Sequence, residues 1–215
     1  MTDFQNFIDK LKERLKKPLP GTGAFLKMAS EIRLEELQSS YDTSKAIQSS
    51  VLILLFPENK SVKIILILRQ QYEGVHSGQV SFPGGRKEKD DKTLIETALR
   101  ESEEEVGIDA DKVMVIGNLT ELYIPPSNFL VLPVVGYMLA KPNLKADKSE
   151  VAKIIEVDLR SLFDKNIIKE KELDVRGYKI KAPYYDIQEQ VVWGATAVIL
   201  SELLEVIRSI ALLGK

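Results

Sequence analysis

Apolar residues recur at steps of three and four near the start of the chain, which predicts an amphipathic helix over residues 3–17. The apolar positions are Phe4, Phe7, Ile8, Leu11 and Leu15. Proline and glycine residues between 18 and 23 end this helix, and a second short helix is predicted over 29–39. The apolar face is expected either to pack on the rest of the fold or to act as a lid or dimer contact.

Apolar and β-branched runs dominate the middle of the chain and predict strands. These runs span 50–56, 62–69, 78–82, 113–119, 130–139, 154–157, 172–181 and 182–187. The polar segment 57–60 joins the first two as a hairpin loop would, whereas the last two form either a pair or one bent strand. Further helices are predicted over 93–106 and 194–213. Because strands and helices do not alternate regularly, the pattern predicts a mixed α/β sandwich.

Composition excludes several classes of function. The 215 residues carry a net charge of -2, which argues against a general nucleic-acid surface. The absence of cysteine excludes disulfides, thiolate metal sites and a cysteine nucleophile. Charged residues interrupt the N-terminal segment, so no signal peptide is expected, and no apolar run is long enough to span a membrane. We therefore expect a cytoplasmic protein without a nucleic-acid or membrane partner.

The helix predicted over 93–106 carries acidic residues on one face. At about 100° per residue, one apolar stripe should face the core. This stripe consists of Ile95, Ala98, Leu99, Ser102 and Val106. Three carboxylates fall together on an adjacent face: Glu101, Glu104 and Glu105. Glu96 and Glu103 point away from this group and are expected to be solvated.

Carboxylates that converge near a helix C-terminus repel one another and oppose the helix dipole, so a cation would compensate them. Oxygen ligands without histidine or cysteine suit Mg²⁺ or Mn²⁺. An ordinary solvated charged face is the alternative. The flanking residues favour a metal site, because Gly84-Gly85 permits a tight turn before the helix and Gly107 can end it. Asp91 and Thr93 are both candidates for the helix N-cap.

This stretch, from residue 84 to 108, resembles the box of the Nudix hydrolases. The matching positions are Gly85, Asp91, Arg100-Glu101, Glu104-Glu105 and Gly107-Ile108. Asp91 stands where glutamate is usual, the segment from it to Arg100 is one residue longer, and Ser102 replaces an apolar residue. The resemblance implies a Nudix-type α/β/α sandwich with a mixed central sheet.

Other stretches are similar to the coenzyme A pyrophosphatase branch of that family. They are Ile67-Leu68-Arg69, the segment 75–85, Thr97 to Glu101, 126–129, 133–136 and 192–196. Asn128 departs from the glycine-like turn residue expected there. The resemblance covers about 45–205, which implies a hydrolase domain over 41–215 and a helical extension over 1–40.

The resemblance implies an enzyme that cleaves a nucleoside diphosphate derivative with Mg²⁺ or Mn²⁺. The expected substrate is coenzyme A or acyl-coenzyme A, giving 3′,5′-ADP and 4′-phosphopantetheine or its acyl form. A pyrophosphatase for ADP-ribose, a dinucleotide or a nucleoside triphosphate is the second hypothesis. A catalytically silent Nudix domain that binds a ligand or a protein is the third. A homodimer is expected from the resemblance and from the amphipathic N-terminal helix.

The resemblance also implies a role for each site residue. The metal ligands and catalytic residues are Glu101, Glu104 and Glu105, and the carbonyl of Gly85 completes the metal sphere. Glu104 and Glu101 are both candidates for the general base.

The remaining site residues support the carboxylates or bind substrate. Arg100 is expected to orient the carboxylates and to bridge an acidic loop residue, either Glu88 or Asp91. Substrate-binding candidates are Arg69, Arg86 and His76. Their alternative roles are a salt bridge at the site rim for Arg69, a solvated side chain for Arg86 and a loop-shaping hydrogen bond for His76.

Overall fold

A computed structural model describes residues 2–30, 41–71, 77–175 and 178–212. Its helices are α1 (Thr2–Leu15), α2 (Thr22–Phe25), α3 (Leu94–Val106) and α4 (Gly194–Leu212). Single 3-10 turns occur at Leu26–Met28, Thr43–Lys45, Ala110–Lys112, Pro125–Ser127, Ser161–Phe163 and Lys165–Ile167. The helix predicted over 29–39 lies mostly outside the described residues. Within them, every helix is too short or too polar to cross a membrane.

The strands agree with most of the predicted runs and add three short ones that the sequence pattern missed, β4, β6 and β11. Their bounds are β1 (Ile47–Glu58), β2 (Ser61–Arg69), β3 (Val80–Ser81), β4 (Gly84–Arg86), β5 (Met114–Asn118), β6 (Leu122–Ile124), β7 (Phe129–Tyr137), β8 (Val151–Asp158), β9 (Ile168–Val175), β10 (Tyr178–Ile187) and β11 (Gln190–Val192). Each of the missed strands is only three residues long, too short to show a period.

The main sheet is mixed. Its order is β3-β2-β1-β7-β5, with β1 parallel to β7 and antiparallel to β2. Strand β4 pairs with the first part of β1, and β8 pairs with the other side of β2. A second, antiparallel sheet has the order β11-β10-β9. This arrangement confirms the predicted mixed α/β fold with a mixed central sheet.

Strand β1 lies in the middle of the sheet because its apolar residues serve both faces. Leu52, Leu54 and Phe56 join the cluster that packs against α3. Ile53 and Leu55 join the opposite cluster, which includes residues of α1 and α4. The sheet is therefore covered by helices on both sides, with α3 alone on one of them among the described helices.

The hairpin formed by β9 and β10 corrects the predicted strand 172–181. The chain turns within that range, because Val175 pairs with Tyr178 in antiparallel register. Charged and apolar residues alternate on both sides of the turn, so the hydrophobic pattern continues through it and hides it.

The predicted core stripe of α3 is wrong at one position. Ile95 is 41% exposed, whereas Thr97 and Glu105 are buried. Both polar residues are hydrogen-bonded in the interior, Thr97 to Asp91 and Glu105 to the Gly84 amide. A stripe defined by hydrophobicity cannot include them, so the true buried face is rotated toward Glu105.

Helix α1 packs into the core through Phe4, Ile8 and Leu11, which are buried together with residues of α4. Its apolar face is thus used within the chain, and the homodimer prediction rests on the family resemblance alone. The division into an extension (1–40) and a domain (41–215) stays a prediction, since residues 31–40 lie outside the described part.

A buried carboxylate ties α4 to the N-terminal segment. Glu202 has no exposed surface and accepts hydrogen bonds from the Gly21 amide (2.8 Å), the Thr120 amide (3.0 Å) and the Thr120 hydroxyl (2.7 Å). Three donors therefore satisfy one carboxylate where β5, α2 and α4 meet.

We expect Glu202→Gln to lower the free energy of unfolding by about 2 kcal/mol, because an amide has only one oxygen for three donors and buries an amino group among them. Chemical denaturation followed by circular dichroism measures the change. Glu121→Gln, an exposed neighbour of Thr120, is the control and should alter stability by less than about 0.5 kcal/mol. Equal effects of the two variants would contradict the role of Glu202.

Candidate active site

Helix α3 is fixed at both ends by local hydrogen bonds. The Thr93 hydroxyl accepts from the Glu96 amide at 3.2 Å, which confirms Thr93 as the N-cap. Gly107 adopts a left-handed conformation with φ of 70°, and its amide donates to the Glu103 carbonyl. The amide of Asp147 then satisfies the carbonyl of Glu105 at 3.0 Å. The acidic last turn is therefore held rigidly over the sheet.

Two glycines let β4 lie between β1 and α3. A Cβ on Gly84, whose φ is 147°, would stand 2.3 Å from the Ser50 carbonyl oxygen. A Cβ on Gly85 would stand 2.4 Å from a carboxylate oxygen of Glu101. Only glycine therefore fits at position 84, whereas a side chain at position 85 would displace the Glu101 carboxylate. The backbone of this pair is thus brought directly against the acidic face of α3.

Arg100 is anchored by the loop that precedes the helix. Its Nε and Nη2 donate to the two carboxylate oxygens of Asp91, each at 3.0 Å. Asp91 is 7% exposed and also accepts from the Thr97 hydroxyl and the Glu88 amide. The Arg100 guanidinium holds the pKa of Asp91 well below its usual range. Of the two predicted partners, the structure places Asp91 against Arg100.

The same guanidinium reaches two of the predicted catalytic carboxylates. Arg100 Nη2 lies 3.0 Å from Glu101 Oε1, and Nη1 lies 3.0 Å from Glu104 Oε2. The Glu101 side chain is 16% exposed and that of Glu104 is 59% exposed. Burial raises the pKa of Glu101, and Arg100 offsets part of this effect. The two carboxylates are therefore oriented by one fixed arginine but face different surroundings.

Glu105 is the most deeply buried carboxylate of α3, with 1% exposure. Its Oε2 accepts from the Gly84 amide at 2.8 Å and its Oε1 from Arg69 Nη1 at 3.0 Å. Burial nevertheless raises the pKa of Glu105 to about 7, against the lowering effects of Arg69 and the Gly84 amide. Nearby Glu101 and Glu150 raise it further. A further positive charge near Glu105 would therefore stabilise its ionised form.

A family model for the NUDIX domain matches residues 46–173, more than half of the chain. This chain belongs to the Nudix family. A Photorhabdus laumondii protein named "Uncharacterized Nudix hydrolase NudL" is 40% identical over 128 residues, which are 60% of this chain and 68% of that protein. A relative of the same name from Yersinia pestis (strain Pestoides F) is 35% identical over 144 residues, covering 65% and 70%.

A solved structure shares the fold of this Nudix hydrolase. It is the crystal structure of RenU, a Nudix hydrolase from M. smegmatis, which matches with a TM-score of 0.50 and 16% identity. The match covers 87% of this chain and 99% of that one. The chain is accordingly a Nudix hydrolase, an enzyme class that acts on nucleoside diphosphate derivatives.

Nudix hydrolases generally use divalent metal ions, and the oxygen donors found here fit such an ion. Glu101 lies close enough to Glu105 to raise the pKa of Glu105, and Glu101 also lies beside the backbone of Gly85. Glu104 is the more exposed neighbour of Glu101, and its charge raises the pKa of Glu101. Among the described residues no three acidic or histidine side chains converge on one point. An ion would therefore also need backbone, water or phosphate oxygens, as magnesium usually does.

The other predicted site residues lie around this centre or outside the described part. Arg69, at the end of β2, contacts Glu105 and lies 3.8 Å from Glu150 Oε2 through its Nη2. Arg86 has an exposed side chain, and its carbonyl accepts from Arg100. His76 falls among residues 72–76, outside those the structure describes.

Sequence reasoning missed three polar contacts of this Nudix site. The Ser49 hydroxyl donates to the Gly85 carbonyl at 2.6 Å, the Gly84 amide binds Glu105, and the Thr97 hydroxyl binds Asp91. The contact between Thr97 and Asp91 could have been predicted from their spacing, because a threonine one turn after the N-cap faces back to the preceding loop. Ser49 has no such signal, since its partner is 36 residues away.

Asp91→Asn should lower the free energy of unfolding by about 3 kcal/mol, because it leaves the Arg100 guanidinium without its buried counter-charge. Chemical denaturation at several pH values measures this. The ionised Asp91 stabilises the fold above its ordinary pKa of 3.8, and this contribution is lost as pH falls toward the lower folded value. The difference between wild type and variant should thus be constant from about pH 8 to 5 and shrink below about pH 4. Asp90→Asn, an exposed neighbour, is the control; a difference that grows in acid would refute the assignment.

Proposed function

We propose that this Nudix hydrolase cleaves coenzyme A or acyl-coenzyme A with Mg²⁺ or Mn²⁺, releasing 3′,5′-ADP and 4′-phosphopantetheine or its acyl form. The burial of Glu105 next to Glu101, against a backbone that only glycine permits, is the observation that carries the diphosphatase part. The substrate part is supported by the resemblance of the segment 75–85, which enters β4 just before α3.

In this proposal the carboxylates of Glu101 and Glu105 and the carbonyl of Gly85 hold the divalent ion, with Glu104 beside them. When bound, the ion neutralises the phosphate oxygens and makes the attacking water more acidic. The water oxygen forms a bond to one phosphorus, and the bridging oxygen leaves with the other phosphate. The Gly84 amide keeps Glu105 turned toward the site, and Ser49 fixes the Gly85 carbonyl.

The proton of the attacking water needs an acceptor in the same place. Glu104 suits this task because its side chain is 59% exposed, so that one of its oxygens can meet water while Arg100 holds the other. Glu101 is the alternative acceptor. Arg100 itself is a positioning residue: Asp91 fixes its guanidinium, which in turn orients Glu101 and Glu104.

Substrate binding is assigned to cations around the carboxylates. The exposed side chain of Arg86 lies on the strand that carries Gly84 and Gly85, where it can meet a phosphate of the substrate. Arg69 and His76 complete the proposed set. The proposal further includes a cytoplasmic location, a homodimer, and a hydrolase domain over 41–215 with its extension over 1–40.

A substrate panel tests the proposed specificity. With Mg²⁺ or Mn²⁺, coenzyme A should be cleaved to 3′,5′-ADP well ahead of 3′-dephospho-coenzyme A, ADP-ribose, NADH and dGTP, because the adenosine 3′-phosphate adds charge for the site to bind. Chromatography of the products measures each rate. Faster cleavage of ADP-ribose or NADH would retain the Nudix chemistry and reject coenzyme A as the substrate.

Glu105→Gln should lower kcat/KM by at least about a hundredfold, because the amide removes a buried negative charge from the proposed ion site. Glu103→Gln is the matched control on the same helix: its side chain is exposed and faces away, so activity should be unchanged. Circular dichroism checks that both variants are folded. If wild type has no activity on any nucleotide of the panel, the protein is a silent binding module and not the proposed enzyme. If wild type is active and Glu105→Gln keeps full activity, the site assignment is wrong.

A further inference from the structure

Both carboxylate oxygens of Glu105 already accept a hydrogen bond. Its Oε2 accepts from the Gly84 amide and its Oε1 from the guanidinium of Arg69, which is also its ion-pair partner. The Gly84 amide belongs to a backbone that cannot move away, because β4 is paired with β1 at this residue. A metal ion at Oε1 would stand close to the positively charged guanidinium of Arg69, so the two cations oppose each other there.

The two arginines that neutralise the carboxylates of α3 are held very differently. Arg100 is clamped by both oxygens of the buried Asp91 and also donates to the Arg86 carbonyl. Within the described part of the chain, the Arg69 guanidinium has a close contact only with Glu105 and a longer one, of 3.8 Å, with Glu150. Arg100 is therefore a fixed support, whereas Arg69 can exchange one partner for another.

Glu150 is the second ion-pair partner of Arg69. The Arg69 amide donates to the Gln79 carbonyl, and the next amide, of Gln70, donates to the Glu150 carbonyl at 2.8 Å. The second of these bonds holds the backbone of Glu150 beside the residue that follows Arg69. The Glu150 side chain is 55% exposed, so it can follow the guanidinium toward solvent at little cost.

We propose that Arg69 is a displaceable counter-cation of Glu105: its guanidinium pairs with Oε1 in this structure and moves to Glu150 when a divalent ion binds Oε1. The inference rests on the proposed function, since it assumes that Glu105 binds the ion. It gives Arg69 a second task besides phosphate binding, because the guanidinium paired with the exposed Glu150 then lies at the rim of the site.

Metal affinity without substrate tests this directly. Arg69→Gln should bind Mn²⁺ about tenfold more tightly than wild type, because a competitor that fills the position in nine molecules of ten weakens binding about tenfold. Isothermal titration calorimetry or the electron paramagnetic resonance signal of free Mn²⁺ measures the dissociation constant. Unchanged or weaker binding in Arg69→Gln would overturn the inference and leave a permanent structural ion pair.

Loss of any nearby positive charge also strengthens cation binding, so a matched control is required. Lys153→Gln removes one charge from the exposed face of β8, directly opposite Leu68 and next to Arg69 in the sheet. Its dissociation constant should stay within about twofold of wild type, since exposed charges are screened. An equal gain in both variants would show a general charge effect and contradict a specific exchange at Oε1.

Two further results separate the inference from the proposed function. If wild type does not bind Mn²⁺, or if Glu105→Gln binds Mn²⁺ as tightly as wild type does, the proposed metal site is wrong. If wild type binds the ion through Glu105 but Arg69→Gln does not gain affinity, only the inference is wrong.

A measurement on the wild-type protein covers the case in which Arg69→Gln does not fold. The Nε–H signal of Arg69, assigned by its loss in Arg69→Lys, should exchange faster with water after saturation with Mg²⁺, because its ion pair moves to an exposed partner. The Nε–H of Arg100 provides an internal reference and should stay protected by Asp91. An Arg69 signal that exchanges at the same rate with and without Mg²⁺ would refute the displacement.

Discussion

The carboxylate of Glu105, buried between a helix and a sheet, sets the demands that the surrounding structure meets. A charge removed from water is unfavourable unless donors or counter-charges replace its hydration. The Gly84 amide and the Arg69 guanidinium supply this replacement from two different strands. The same requirement explains the glycine at position 84. A side chain there would push the backbone away from β1 and withdraw the Gly84 amide from Glu105.

The neighbouring carboxylates Glu101 and Glu104 are held by an arginine that is itself held by a buried aspartate. Asp91 is itself a buried anion, and its task is to immobilise Arg100, which then serves Glu101 and Glu104. Glu101, Glu104 and Glu105 thus each contact an arginine, which offsets the repulsion among these carboxylates.

Local rules were enough to predict the acidic helix, its caps and the central strands from sequence. Thr93, Gly107 and the apolar run of β1 each act through neighbours within a few residues. The remaining features depend on contacts that sequence spacing does not encode. Ile95 looked like a core residue but Glu105 took the buried face, because Arg69 and Gly84, 36 and 21 residues away, make its burial tolerable.

The same limit explains why two arginines of equal charge differ in role. Arg100 sits nine residues after Asp91 on a capped helix, so a local contact determines its position and the sequence suggested it. Arg69 comes from β2, and its partners arrive from α3 and from the start of β8. An arginine with one short and one long ion pair across separate elements can change partners without unfolding any of them. The proposed exchange of partners by Arg69 therefore follows from the topology that brings three elements together and requires no change in the backbone.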